Sequence, residues 1–159
     1  MTAPATDALT ELDGATHRAL GVALYNHVWT LLEKANRTPG ETDEMIHAAH
    51  ASRFHWSRAE GSEPVNLARG EWQCSRVYAV LDRAEPALWH ARRCLAINEA
   101  NGQGDWDIAS AYEAMARASG IAGDTDAAAE WKAKAVGALD GIADQDDRDV
   151  IDGDLATLP

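Results

Sequence analysis

The stretch SAYEAMARASGIAGDTDAAAEWKAKAVGAL, residues 110–139, contains two helical patterns joined by a short turn. Four residues recur at helical spacing in its first half and lie on one face: Tyr112, Met115, Ala116 and Ser119. The pair Gly123-Asp124 then predicts a turn, because glycine tolerates the backbone conformations that turns require. In the second half, Ala128 and Ala135 are seven residues apart, with Trp131 between them. Small residues at this spacing predict a second helix that packs closely against the first.

The preceding stretch, GEWQCSRVYAVLDRAEPALWHARRCLAI, residues 70–97, repeats this pattern 41 residues earlier. Its matching positions are Cys74, Ser75 and Tyr78 in the first helix, and Ala87, His90 and Cys94 in the second. Paired helices with small residues at their contact and a tight turn between them resemble a tetratricopeptide repeat, and the resemblance covers 64–142. The family's usual repeat is shorter, about 34 residues. The resemblance implies stacked helical hairpins that bind a protein or peptide on a concave face, and it carries over no catalytic residues.

The rest of the chain also has helical composition, with frequent alanine and short turns rich in Gly, Pro, Asp or Asn. The pattern predicts six main helices and a short last one, over 7–35, 42–60, 63–83, 85–101, 105–121, 125–141 and 145–157. Pro39-Gly40 is expected to end the first helix, and Thr42 to cap the second. Short loops make consecutive helices antiparallel neighbours. The predicted fold is all-α, a stack of three antiparallel hairpins with a C-terminal cap, in a single domain over 1–159.

The net charge of -12 is unevenly distributed along the chain. Residues 52–93 carry 7 basic side chains, all arginine, and 5 acidic ones, whereas residues 94–159 carry 4 basic and 14 acidic ones. A strongly negative chain repels a phosphate backbone, so no nucleic-acid partner is expected. Residues 144–159 are predicted to be an acidic cap or tail, and residues 1–6 a disordered start.

Localisation follows from what the sequence lacks. There is no run of eighteen apolar residues and no basic start followed by an apolar stretch, so neither a membrane partner nor a secretory signal is expected. Cys74 and Cys94 are too few for a disulfide framework and lie among apolar residues at helical spacing. We therefore expect both to be small core residues in a cytoplasmic protein.

Three of the six histidines fall within nine positions, in MIHAAHASRFHW. His47 and His50 are three residues apart and share a helix face, and Glu44 completes a Glu-x-x-His pattern. Carboxylate and imidazole groups bind zinc, iron or copper ions, and His27 on the first helix is the further ligand that the pattern favours. His55 lies about 12 Å along the helix from His47 and is not expected to join them. The alternative is that these histidines form hydrogen bonds at ordinary helix contacts.

The third predicted helix carries an Arg-Trp-Arg stripe. Arg69 and Arg76 are seven residues apart and share a face with Trp72, and Asn66 lies nearby on the same helix. Arginine binds carboxylates through two parallel hydrogen bonds, and tryptophan attracts cations to its ring face. If helices one, three and five line a concave surface, these four residues predict a groove for an acidic peptide or a carboxylate ligand. The alternative is a row of salt bridges between helices, with Glu60, Glu63 or Glu71 as partners.

Two functions follow as hypotheses. The first is a cytoplasmic helical-repeat binding module or scaffold that recognises a protein or peptide segment, such as an acidic one, through the groove. The second is a small metal-binding protein or metalloenzyme that uses the histidine cluster of helix two. No phosphate-binding glycine loop, Cys-x-x-Cys, His-Glu-x-x-His or nucleophile elbow is present, so no catalytic residue is assigned. These absences favour a protein without enzymatic activity.

Overall fold

The computed structural model of the chain describes residues 12–159, which form seven α-helices and contain no β-strand. The helices are α1 Gly14–Leu32, α2 Pro39–Trp56, α3 Pro64–Val80, α4 Ala84–Ala100, α5 Asp105–Ile121, α6 Thr125–Ala138 and α7 Gln145–Ala156. A single 3₁₀ turn, Leu139–Gly141, follows α6. Helices that are consecutive in the chain pack in pairs, α1 with α2, α3 with α4 and α5 with α6. The all-α prediction is therefore confirmed, whereas the predicted disordered start lies outside the described residues.

The chain divides into two compact units, Met1–Glu63 and Pro64–Pro159. The first unit contains the α1–α2 hairpin, whose helices approach closely at Gly21. A Cβ atom at that position would lie 3.1 Å from Cδ1 of Trp56, and the Gly21 carbonyl accepts a 2.8 Å hydrogen bond from the Ser52 hydroxyl. A small residue on α1 thus lets a large one on α2 pack against the backbone.

The start of α2 corrects the prediction for its cap. Thr38, rather than Thr42, caps the helix, and its hydroxyl accepts a 3.2 Å hydrogen bond from the Glu41 amide. The Glu41 carboxylate accepts in return from the Thr38 amide at 2.9 Å, which completes a capping box. Pro39 therefore begins the helix instead of ending the one before it, because the first helical position needs no amide donor.

The second unit contains two hairpins, α3–α4 and α5–α6, whose turns close in the same way 41 residues apart. The Arg83 amide donates to the Tyr78 carbonyl at 3.0 Å, and the Asp124 amide donates to the Ser119 carbonyl at 3.0 Å. The residue before each of these amides has a positive φ, which is 57° at Asp82 and 79° at Gly123. Aspartate is one of the few non-glycine residues that adopt this conformation readily.

The core of the second unit is built largely from small side chains. Alanines on α3, α4 and α5 are buried together with Trp72 and Met115, and the Ser75 hydroxyl donates to the Ala87 carbonyl at 2.9 Å. The acidic C-terminal segment forms α7, which buries Ile151 and Leu155 in a second cluster beside α5 and α6. No helix within residues 12–159 is long and apolar enough to cross a membrane.

Candidate functional site

The two arginines of the predicted groove, Arg69 and Arg76, are paired with carboxylates of their own unit. Arg69 donates to both carboxylate oxygens of Asp107 on α5, at 2.8 and 3.0 Å, and its guanidinium lies 5.5 Å from the centre of the Trp106 ring. Trp72 is 3% exposed, and the half-buried Asn66 precedes it on α3. The guanidinium of Arg69, which was predicted to bind an acidic ligand, thus binds the carboxylate of Asp107 instead.

Arg76 belongs to a buried charge cluster that joins α3, α5 and α7. Its guanidinium lies 2.6 Å from the Asp154 carboxylate and 3.6 Å from that of Glu113, and it stacks 5.2 Å from the centre of the Trp72 ring. Arg117 donates to Glu113 at 2.7 Å and to the Asp154 carbonyl at 2.8 Å. Burial raises the pKa of Glu113, which is 1% exposed, while the two arginines act in the opposite direction. Arg69 and Arg76 thus form salt bridges between helices, as the alternative prediction had it, and Asp107, Glu113 and Asp154 are among their partners.

The predicted metal ligands of the first unit do not gather at one point. His27 donates through Nε2 to the Glu44 carboxylate at 2.7 Å, which joins α1 to α2 on an exposed surface. His47 and His50 are both exposed on α2. Within residues 12–159, no three of these four side chains bring ligand atoms within 4.8 Å of one another.

A different histidine pair, which is not among the residues predicted from the sequence, lies in the same unit. Nδ1 of His17 on α1 lies 2.8 Å from Nδ1 of His55 on α2, so one ring donates a hydrogen bond to the other. His17 is buried, and the pKa of His55 is lowered by burial and by the nearby charges of His17 and Arg58. The two residues are 38 positions apart, so helical spacing gives no sign of the pair.

The α3–α4 hairpin holds a second polar cluster, around Glu71. This carboxylate is 2% exposed, yet it accepts a 2.7 Å hydrogen bond from Nδ1 of His90 and a 3.1 Å bond from Nε of Arg93. The ring of Tyr78 stacks on His90 at 5.8 Å with an angle of 9° between the planes. Burial raises the pKa of Tyr78, and Cys74 acts in the same direction. The spacing of Glu71, Cys74 and Tyr78, at i, i+3 and i+7, was the available signal, because such residues share one helix face.

The outer face of α4 combines an exposed tryptophan with two arginines. Trp89 is 56% exposed, more than the other large apolar side chains in residues 12–159. Arg92 and Arg93 follow it by three and four positions and are both exposed, and Ala96 lies one turn further along. We refer to Trp89, Arg92, Arg93 and Ala96 as the α4 outer face.

Comparison with protein-family models, curated proteins and solved structures finds no match.

The described side chains therefore form three distinct polar or charged groups. The charged residues of the predicted groove are neutralised by carboxylates of the same unit. The α4 outer face presents an apolar ring beside positive charge to the solvent. The Glu71 cluster holds an imidazole in a fixed orientation inside the α3–α4 hairpin.

Proposed function

We propose that this protein is a cytoplasmic binding module built from helical hairpins, and that the α4 outer face recognises an acidic protein segment. The exposure of Trp89 carries the proposal. A tryptophan buries a large apolar area when it becomes covered, and tryptophan and arginine are the residues most enriched at interaction hot spots. The hairpin turns that recur 41 residues apart support the tetratricopeptide resemblance, which remains part of this proposal.

The residues of the α4 outer face favour a partner that presents an apolar side chain next to carboxylates. Arg92 and Arg93 lie one turn beyond Trp89, so a partner with an apolar side chain over the ring would place its carboxylates against the two guanidinium groups. The Arg93 side chain is 48% exposed and uses only Nε for its bond to Glu71. Its terminal nitrogens therefore project from the buried cluster and suit recognition of a carboxylate. The two arginines are positive charges on a chain of net charge -12. An acidic segment is therefore attracted to the α4 outer face and repelled by the acidic surfaces of the same protein.

The test uses two synthetic amphipathic helical peptides of equal length, one with leucine and glutamate faces and one with glutamine in place of every glutamate. Isothermal titration calorimetry measures the affinity of each for the full-length protein. We expect the glutamate peptide to bind more tightly, and its affinity to fall as salt is added, because salt screens exposed charge pairs. Trp89→Ala should weaken binding about 30-fold, the effect of losing a hot-spot residue of about 2 kcal/mol.

Matched controls separate the α4 outer face from general charge. Arg92→Glu should weaken binding of the glutamate peptide, whereas Lys132→Glu, the same change of charge at an exposed position on α6, should leave it unchanged. Val136→Ala removes another exposed apolar side chain and should also have no effect. Equal binding of the two peptides, or equal losses in the Arg92 and Lys132 variants, would show that this surface does not recognise acidic segments.

A further inference from the structure

The α3–α4 hairpin brings the thiol of Cys74 and the imidazole of His90 together. Sγ of Cys74 and a ring nitrogen of His90 lie within 4.8 Å of each other. Two ligands on one metal ion are separated by no more than about 4.4 Å, the sum of typical metal–sulfur and metal–nitrogen bond lengths. Small side-chain adjustments would therefore let both atoms bind one ion.

The imidazole is already oriented as metal-binding histidines usually are. Its Nδ1 is bonded to the buried Glu71 carboxylate at 2.7 Å, which places the proton on Nδ1 and leaves Nε2 unprotonated, the form in which a ring nitrogen can bind a metal ion. A metal-bound histidine almost always donates its other nitrogen to such a group, which fixes the ring and makes it a better ligand. The stacked ring of Tyr78 holds the imidazole plane from one face.

Charge and ligand softness select the class of ion. We propose that Cys74 and His90 bind a soft monovalent ion, copper(I), with Glu71 as the positioning residue for His90. Thiolate sulfur selects soft ions, and imidazole is also a good copper ligand. On binding, the Cys74 thiol gives its proton to solvent, and the resulting thiolate and the ion sum to zero charge. A neutral pair is far cheaper to bury than a charged one, and the charge of Glu71 is already paired with Arg93.

The second cysteine provides an internal control. Cys94 is also buried, but it lies in the apolar core of the unit among Ala91, Leu95 and Met115. The amide nitrogen of Asn98 lies 3.7 Å from its sulfur, and burial raises its pKa. Substitution of either cysteine removes one buried thiol, but only the change at Cys74 removes a proposed ligand.

The experiment is an anaerobic competition for copper(I) between the full-length protein and a coloured copper(I) chelator. We expect the wild-type protein and Cys94→Ala to withhold one equivalent of copper, and Cys74→Ala and His90→Gln to withhold none. Cys74→Ser keeps a polar group of similar size and should fold, as judged by circular dichroism, yet should also lose the ion. Glu71→Gln should weaken the affinity about 10-fold, the lower end of what such orienting groups contribute.

Three results would contradict the copper(I) site. If the wild-type protein withholds no copper, or if Cys74→Ser withholds as much as the wild type, the site does not exist. Cobalt(II) serves as a divalent probe, because a bound thiolate gives it a charge-transfer absorption band. A stronger apparent affinity for cobalt(II) than for copper(I) would overturn the assignment to a monovalent ion. Peptide binding by the α4 outer face is measured separately, so failure of either proposal leaves the other intact.

Discussion

His17 and His55 share one hydrogen bond, so the stability of the α1–α2 hairpin depends on the protonation of His55. One Nδ1 donates and the other accepts, and the bond is lost when the accepting nitrogen takes up a proton. The pKa of His55 is below its ordinary value of 6.5 in the folded chain, so the unfolded chain takes up this proton at higher pH. Stability from this group is therefore complete above about pH 6.5 and is lost as the pH falls from there through the folded value.

The pH dependence is measured as the urea midpoint of unfolding between about pH 8 and pH 5. We expect the midpoint of the wild-type protein to fall in the acidic half of this range, and His55→Gln to reduce the fall because glutamine does not titrate. His47→Gln, an exposed substitution on the same helix, is the control and should follow the wild type. An unchanged pH dependence in the His55 variant would show that the pair does not control stability.

At the scale of elements, Arg117 links α5 to α7 through the buried charge cluster. It contacts the Glu113 carboxylate and the carbonyl oxygens of Asp154 and Thr157. Arg117→Ala leaves a buried carboxylate with less compensation, and breaking a buried pair in this way costs about 3 kcal/mol or more. We expect urea unfolding to show that loss. Arg148→Ala breaks the exposed pair with Asp140 and should cost less than about 1 kcal/mol.

The companion variant tests whether the loss comes from the uncompensated charge. Glu113→Gln in the Arg117→Ala background removes the buried negative charge, and it should recover part of the lost stability. If the double variant is as unstable as the sum of the two single variants, the two side chains do not interact and the loss has another origin.

At the scale of the whole molecule, the net charge of -12 opposes folding by self-repulsion. Added salt screens this repulsion over about 10 Å at 0.1 M. We expect the thermal midpoint at pH 7 to rise by roughly 3 °C between low and moderate salt, which corresponds to about 1 kcal/mol for a chain of this length. Differential scanning calorimetry over a sodium chloride series measures the change. A midpoint that falls with salt would mean that the ion pairs stabilise the chain more than the excess charge destabilises it.

Local signals in the sequence determined most of the helix pattern. The predicted helix over 105–121 agrees with α5, and the Gly123-Asp124 pair forms the turn that separates α5 from α6. These features depend on neighbours within a few residues, because capping, turn geometry and helical periodicity act at that range. The misplaced cap at Thr42 shows the limit, since proline can end one helix or begin the next.

Contacts between helices were decided only by the tertiary structure. Arg76 meets Asp154, 78 positions further along the chain, and Arg69 meets Asp107, 38 positions away. Helical spacing showed which side chains share a face, but the partner across a helix contact depends on the register and angle at which two helices pack. The sequence by itself therefore determined an acidic all-α chain with seven of its eleven arginines in residues 52–93. Tertiary packing decided that Arg69 and Arg76 are neutralised internally, that His90 is oriented by Glu71, and that Trp89 faces solvent.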